Sequence, residues 1–213
     1  SLYLESSLDS DTSRLVEFEL ATGDIREILS DPEADVGPVL LHPTTYALQA
    51  VGFETDRLRW TALDPSLASD LAALSSPESD AHLVSRDDED RLWVLLDYCD
   101  RKTPSYRIYD RKTKRSTFLF TTRPELEGYA LAAMKPVRIT ARDGLTLPAY
   151  LTLPKGKKKN GLPLILRVHG GPWARDSWGF NPEVQWLADR GYAVLQVNYR
   201  GSTGFGKKFL HAA

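Results

Sequence analysis

Through about the first 120 residues, hydrophobic and polar positions alternate with a period of two, the pattern of half-buried strands. "RLVEFEL" sets Val16, Phe18 and Leu20 on one face, and "RLWVLLDY" does the same for Leu92, Val94, Leu96 and Tyr98. Turn chemistry follows each run. One segment breaks the pattern. In "DPSLASDLAALSS", Asp64 is placed to cap a helix and Pro65 to occupy its first position, with Leu67, Leu71 and Leu74 on one face at helical spacing. The leucine stripe reads as packing. In "SRDDEDR", Ser85 to Arg91, carboxylates lie side by side, but adjacent turn positions point apart and no glycine supplies the bend of a calcium loop. That run reads as a solvated turn.

The strands also repeat. "EFELATGD" around Leu20, "RWTALDPS" around Leu63 and "YRIYDRKT" around Tyr109 superpose at spacings of 43 and 46 residues, each a strand running into a turn. A period in the forties built from short strands is that of β-propeller blades, each a small packing unit. A generic antiparallel sandwich is the alternative this pattern leaves open.

Near "TTRPELEGYALAAMKP" the texture changes. Pro124 and Pro136 punctuate a segment with neither period, which places a domain boundary between residues 1–124 and 125–213. Beyond it come "VRITARDG", "LTLPAYLTLP", the polar "KGKKKNG", "LPLILRVHGG", a helix pattern through "PEVQWLADRG", and "YAVLQVNYRG". The cluster from Lys155 to Lys159 reads as an exposed hairpin tip. Val184, Trp186 and Leu187 form the helix's apolar stripe, with Gly191 as its C-cap. A strand, a helix and a second strand, both strands nearly all apolar, form a parallel crossover expected to be buried on both faces.

Composition narrows the partners. Of 213 residues, 42% are hydrophobic and 26% charged, the balance of an ordinary globular protein. A net charge of -2 gives no basic footprint for nucleic acid, and no apolar run approaches the roughly 18 residues of a membrane span. Neither nucleic acid nor membrane is an expected partner. The lone Cys99 has no intramolecular disulfide partner, which suits a reducing, cytoplasmic setting. The chain opens on Ser1 and ends on "FLHAA" as a helical pattern begins, so it reads as a piece of a longer protein.

The chemistry concentrates in "RVHGGPWARD", Arg167 to Asp176. His169, Gly170, Gly171 and Pro172 sit where a buried strand ends, at the carboxyl edge where α/β folds place their sites. Glycines bring the main chain close to a ligand, and Pro172 has no N–H, so any backbone donor in the turn comes from Gly170 or Gly171. Such a donor suits an oxyanion hole, where a fixed N–H is worth about 2.7 to 4 kcal/mol of the barrier to acyl transfer. A glycine-rich structural turn with a capping histidine is the alternative.

"HGGPWARDSW", "LADRGYAVLQVNYRGSTGFGKKF" and "PVRITARDGLTLPAYLTLP", covering about Val137 to Phe209, together resemble the prolyl oligopeptidase family of serine peptidases, especially its acylaminoacyl-peptidase and dipeptidyl-aminopeptidase-like branch. The resemblance implies a mixed fold, the C-terminal blades of a β-propeller (about two to three in residues 1–124) followed by the N-terminal part of an α/β-hydrolase domain in residues 125–213. It also implies hydrolysis of short peptides through an acyl-enzyme, with Gly171 giving its N–H to the oxyanion and Gly170 supporting it. Other branches carry a tyrosine at the place of His169 and use its hydroxyl. "NYRGSTGFG" resembles the loop at the active-site floor, so Tyr199, Arg200 and Gly201 join His169 and Pro172 as structural neighbours of the site. Trp173 is the candidate substrate contact. No cofactor and no metal are expected.

In this fold the serine, the acid and the histidine follow the oxyanion loop in that order. No serine here stands in G-x-S-x-G; Ser177 and Ser202 both lack the upstream glycine, and His211 comes too early to be the base. His42 and His82 belong to the β half. The chain is therefore expected to be inactive alone, with the edge from Leu164 to Val168, where the nucleophile strand would pair, left open to self-association. The competing reading is a non-catalytic propeller scaffold with a vestigial hydrolase lobe.

Overall fold

The structure is a computed structural model describing residues 1–74, 76–156, 160–171 and 173–213. Strands β1 (Leu2–Ser6), β2 (Arg14–Phe18) and β3 (Ile25–Leu29) form one antiparallel meander, and β4 (Val36–Leu41), β5 (Leu48–Glu54) and β6 (Leu58–Ala62) form a second. After β6 the chain turns into a 3₁₀ turn, Pro65–Leu67, continued as α1 (Ala68–Leu71). The third meander contains β7 (Asp80–Arg86), β8 (Leu92–Tyr98), β9 (Ser105–Asp110) and β10 (Arg115–Thr121). The fourth sheet is mixed. Its strands β11 (Met134–Thr140), β12 (Thr146–Thr152), β13 (Leu164–Arg167) and β14 (Ala193–Val197) lie in the order β11-β12-β14-β13, with α2 (Pro182–Asp189) joining β13 to β14 and α3 (Lys207–Leu210) following.

The meanders stack through two cores. Leu15, Ala34, Val36, Val51 and Phe53 pack the first against the second. Leu40, Ala50, Leu67, Leu71, Leu74, Trp93, Leu95 and Tyr109 pack the second against the third around the short helix. Strand β5 supplies Ala50 to one core and Val51 to the other because successive side chains leave opposite faces. The predicted helix is present, with the Asp64 carboxylate accepting from the Ser66 N–H at 2.9 Å and Leu67, Leu71 and Leu74 all buried.

Four expectations need correction. In β8 the deepest residues are Trp93 and Leu95, both at 0% exposure, while Leu92 on the face expected inside is 40% exposed. The strand does alternate, but both of its faces carry apolar side chains, so its sequence does not say which face is the inner one. Leu20 lies beyond the end of β2 and is exposed. In α2 the inner face is Val184, Gln185 and Ala188, and Trp186 points outward under the Arg190 guanidinium, 4.1 Å from its ring centre. The parallel pairing of β13 with β14 is present, but β13 is the sheet edge, and Leu164, Leu166 and Val168 are each more than half exposed rather than buried. Of the lysine cluster, Lys157, Lys158 and Lys159 lie outside the described residues.

The turn from Ser85 to Arg91 holds the other surprise. Asp88 and Glu89 are exposed, yet Asp90 is 2% exposed. Its carboxylate accepts from Gln49 Nε2 at 2.7 Å, Arg86 Nη1 at 2.9 Å, Trp93 Nε1 at 2.8 Å and Arg111 Nη1 at 2.6 Å. Gln49 comes from the second sheet and the other three from the third or its loops, so this one anion bridges the stack. Nearby, Asp70 accepts from Tyr109, Arg111 and Lys114. Burial opposes its charge, but the hydrogen bonds from Lys114, Arg111 and Tyr109 outweigh it and hold the carboxyl below the usual 3.8. Burial, with the Asp70 carboxylate beside it, pushes the Tyr109 phenol up to about 12.

Removing the Asp90 carboxylate leaves the partly buried Arg86 guanidinium without its anion and Arg111 with Asp70 alone, and strips the buried Gln49 and Trp93 donors of their acceptor. Asp90→Ala is expected to cost about 3 to 5 kcal/mol in chemical unfolding of the protein, and Asp88→Ala less than about 0.5 kcal/mol. Equal, small losses would show that Asp90 is not the bridge. Because the native value of Asp70 is lowered, its contribution is complete above pH 3.8 and is lost as the pH falls through that native value. Asp70→Asn should flatten this part of the acid dependence of the unfolding midpoint.

Candidate active site

The site grows from the ends of two parallel strands. In register, Arg167 of β13 faces Gln196 of β14, so His169 and Asn198 follow on adjacent chains. Nine residues past Arg167 the chain returns to the same place through Asp176. Its Oδ1 accepts from Arg167 Nη1 and from Gln196 Nε2, both at 2.9 Å, its N–H donates to Asn198 Oδ1 at 2.7 Å, and its carbonyl accepts from Asn198 Nδ2 at 3.0 Å. Gln196 and Asn198 are almost fully buried, at 1% and 0% exposure. Arg167 also donates to Glu183 at 2.7 Å; that hydrogen bond, with Asp176 beside it, raises the guanidinium above its usual value despite burial. The segment from Val168 to Arg175 is thus a loop with both ends tied.

Inside the loop, His169 stacks on Tyr199, with ring centres 4.5 Å apart and planes 17° from parallel. The Tyr199 hydroxyl donates to the His169 carbonyl at 3.0 Å. His169 Nδ1 meets the Gly170 carbonyl at 2.8 Å, which accepts only, and Nε2 meets Ser202 Oγ at 2.9 Å. A serine and a histidine at this distance invite comparison with a nucleophile and its base. Ser202 is 0% exposed, however, and its hydroxyl also lies 2.6 Å from the Tyr199 carbonyl, so the pair braces the loop rather than facing a substrate.

Next come the glycines. Gly171 has φ +135°, and a Cβ there would stand 2.7 Å from the Trp173 nitrogen and 3.2 Å from that of Ala174. No side chain fits without moving the turn. Gly170 is different, since a Cβ there would meet nothing within 4 Å. Both glycines are exposed, and among the described residues neither N–H has a hydrogen-bond partner. Two main-chain donors therefore stand at the carboxyl end of β13, available to an oxygen placed over them.

The other sequence candidates fall around this turn. Trp173 is 77% exposed beside it. Gly201 is buried and its N–H donates to the Phe209 carbonyl at 2.9 Å, closing "NYRG" onto α3. Arg200 faces away and pairs with Asp143 through contacts of 2.9 and 3.0 Å. Pro172 lies outside the described residues. Among the described residues no group of His, Cys, Asp and Glu side chains is arranged to hold a metal, and no helix is long and apolar enough to cross a membrane. An apolar recess of about 500 Å³ beside Tyr129, Phe180 and Trp186 shares no residue with the glycine turn.

Sequence reading missed Asp176, Gln196, Asn198 and Ser202, which hold the turn without touching what it would bind. One signal was present: "RVHGGPWARD" begins with a cation and ends with an anion, as a loop closed by its own ends requires.

Comparison with known proteins agrees along the whole chain. A profile of the prolyl oligopeptidase family matches residues 178–213. Dipeptidyl aminopeptidase BIII of Pseudoxanthomonas mexicana is 43% identical over 221 aligned positions, covering 100% of this chain and 32% of the relative. Dipeptidyl peptidase family member 6 of Caenorhabditis elegans is 35% identical, covering 95% of the chain and 31% of the relative. The chain thus spans about a third of the length of these relatives. The fold is also that of a puromycin-hydrolyzing peptidase of Mycobacterium tuberculosis, with a TM-score of 0.75 at 24% identity over 98% of this chain and 33% of that one. Sequence likeness from end to end, a profile match that begins two residues past the Asp176 tie and a shared fold converge, and the chain belongs to the prolyl oligopeptidase family.

Proposed function

We propose that the full-length protein containing residues 1–213 is a serine peptidase that hydrolyses short peptides, of dipeptidyl or acylaminoacyl type, through an acyl-enzyme. The observation that carries this reading is the Gly171 N–H, unpartnered among the described residues, on a loop tied at both ends. When a serine hydroxyl adds to the scissile carbonyl, negative charge develops on the carbonyl oxygen. A donor already fixed in place stabilises that charge without reorganising. Gly171 supplies this donor, Gly170 supports it, and Trp173 offers an exposed aromatic face to the substrate. The serine, acid and histidine come from residues outside 1–213, so these residues alone carry half of the chemistry. The two named dipeptidyl peptidases support the substrate class.

In the same proposal the three stacked meanders are propeller blades, and the hydrolase part begins after residue 124. The stack supports this at both ends: Leu2, Tyr3 and Leu4 in β1, and Phe118, Leu119 and Phe120 in β10, are large apolar residues at least 40% exposed, as faces awaiting further blades would be. Strand β13 is open in the same way, and in the isolated 213-residue chain a second copy is the available partner for it.

Three outcomes test this reading. Gly171→Val in the full-length protein should lower kcat by about 10² to 10³ with little change in KM. Unchanged turnover in the Gly171 variant would remove its role. A fluorophosphonate probe should label the full-length protein on a serine outside residues 1–213 and leave the 213-residue chain unlabelled. Failure to label the full-length protein would favour the scaffold reading. Sedimentation of the 213-residue chain should show self-association; a monodisperse monomer with exchange-protected Leu164 to Val168 amides would count against the open edge.

A further inference from the structure

Arg175 stands one residue before the Asp176 tie, and its side chain leaves the loop altogether. Its Nη1 donates to the Glu54 carbonyl at 3.0 Å and its Nη2 to the Thr55 carbonyl at 2.8 Å, at the end of β5 in the second meander. The guanidinium lies over the Phe205 ring, 4.3 Å from its centre. A Cβ on Gly204 would come within 2.6 Å of Nη1, so the glycine makes room for this group. The Thr203 N–H donates to the Ala174 carbonyl at 3.0 Å, joining the two loops beside it. "STGFG" is thus a cradle for Arg175 as well as a turn.

The cradle is itself fastened to the meanders. The Asp35 N–H donates to the Gly204 carbonyl at 3.1 Å, and the Lys207 N–H donates to the Asp11 carbonyl at 2.9 Å. Glycine turn, cradle and β5 terminus therefore meet at one guanidinium.

This contact is poorly explained as a device for stability alone. The Arg175 side chain is 15% exposed, the nearest carboxylate oxygen, on Glu54, lies 3.7 Å away, and its Nε is buried without an acceptor among the described residues. A desolvated cation held chiefly by carbonyls and missing one hydrogen bond offsets its burial incompletely. What it does supply is direction. Two fork-like donors on two successive carbonyls fix the residue that precedes Asp176, four positions after Gly171.

We propose that Arg175 is a positioning residue that sets the Gly171 N–H for the reaction by anchoring the glycine loop to the end of β5. This rests on the oxyanion role of Gly171 proposed above. The acceptors are main-chain carbonyls and cannot be deleted by mutation, so the test varies the donor. In the full-length protein, with a dipeptidyl p-nitroanilide as the probe, Arg175→Ala should lower kcat by about 10- to 100-fold, the cost of a misplaced group near the chemistry. KM should stay within about threefold, because the substrate still binds. Arg175→Lys, which keeps the charge and can reach one carbonyl, should fall between. The double variant Gly171→Val/Arg175→Ala should be no slower than Gly171→Val, since both act through one donor.

A folded Arg175→Ala protein with wild-type kcat, a loss carried mainly by KM, or losses that multiply in the double variant would each overturn the proposal. If Arg175→Ala does not fold, Arg175→Lys decides it, and wild-type kcat there is again a refutation. Failure of the underlying reading is separately visible: if Gly171→Val alone leaves kcat unchanged, the oxyanion role is wrong and the proposal for Arg175 falls with it.

Discussion

One carboxylate, placed against the ends of two parallel strands, governs the C-terminal part of this chain. Asp176 Oδ1 is held by Arg167 from β13 and Gln196 from β14, while its main chain is matched at both N–H and carbonyl by the Asn198 amide. A buried anion is stable only if its donors are in place, so the loop between β13 and α2 must return to that point. Everything between is then confined. The His169 ring is pressed on Tyr199, and Gly171 is driven to a dihedral and a closeness that exclude side chains. The exposed N–H groups of the turn are consequences of how its ends are tied.

The β half follows the same logic on a larger scale. Stacked meanders share apolar cores, but sheets can slide over apolar surfaces. Asp90 joins Gln49 of one sheet to Trp93 and Arg86 of the next, and Asp70 gathers Tyr109, Arg111 and Lys114 around the short helix. These directional bonds fix register where packing alone would permit several. Glycines then let the two halves approach closely, and the loop after β14 touches both Arg175 and the first meander.

Much of this was legible in the sequence, and the illegible part has a physical cause. The alternation of the early strands, the capped helix at Asp64, the crossover from β13 to β14 and the glycine turn all follow from local rules, and local rules are visible in one chain. What failed were statements about sides. Trp93 and Leu95 were hidden by apolar residues on both faces of β8, Asp90 by two donors 21 and 41 positions away, and Asp176 by partners across the sheet. Trp186 was misplaced because Gln185, a polar residue, takes the inner position by donating to the Asp100 and Ala132 carbonyls and accepting from the Ala132 N–H. Polar residues buried through long-range bonds leave no periodic trace.

The proposed chemistry turns on where a developing negative charge sits. Its most direct test is a crystal structure of the full-length protein with a peptidyl phosphonate attached covalently to its nucleophile. The phosphonyl oxygen is predicted to lie about 2.7 to 3.1 Å from the Gly171 nitrogen, with the loop still tied at Asp176 and Arg175 still on the β5 carbonyls. An oxygen bonded to other donors and out of reach of Gly171 would contradict it.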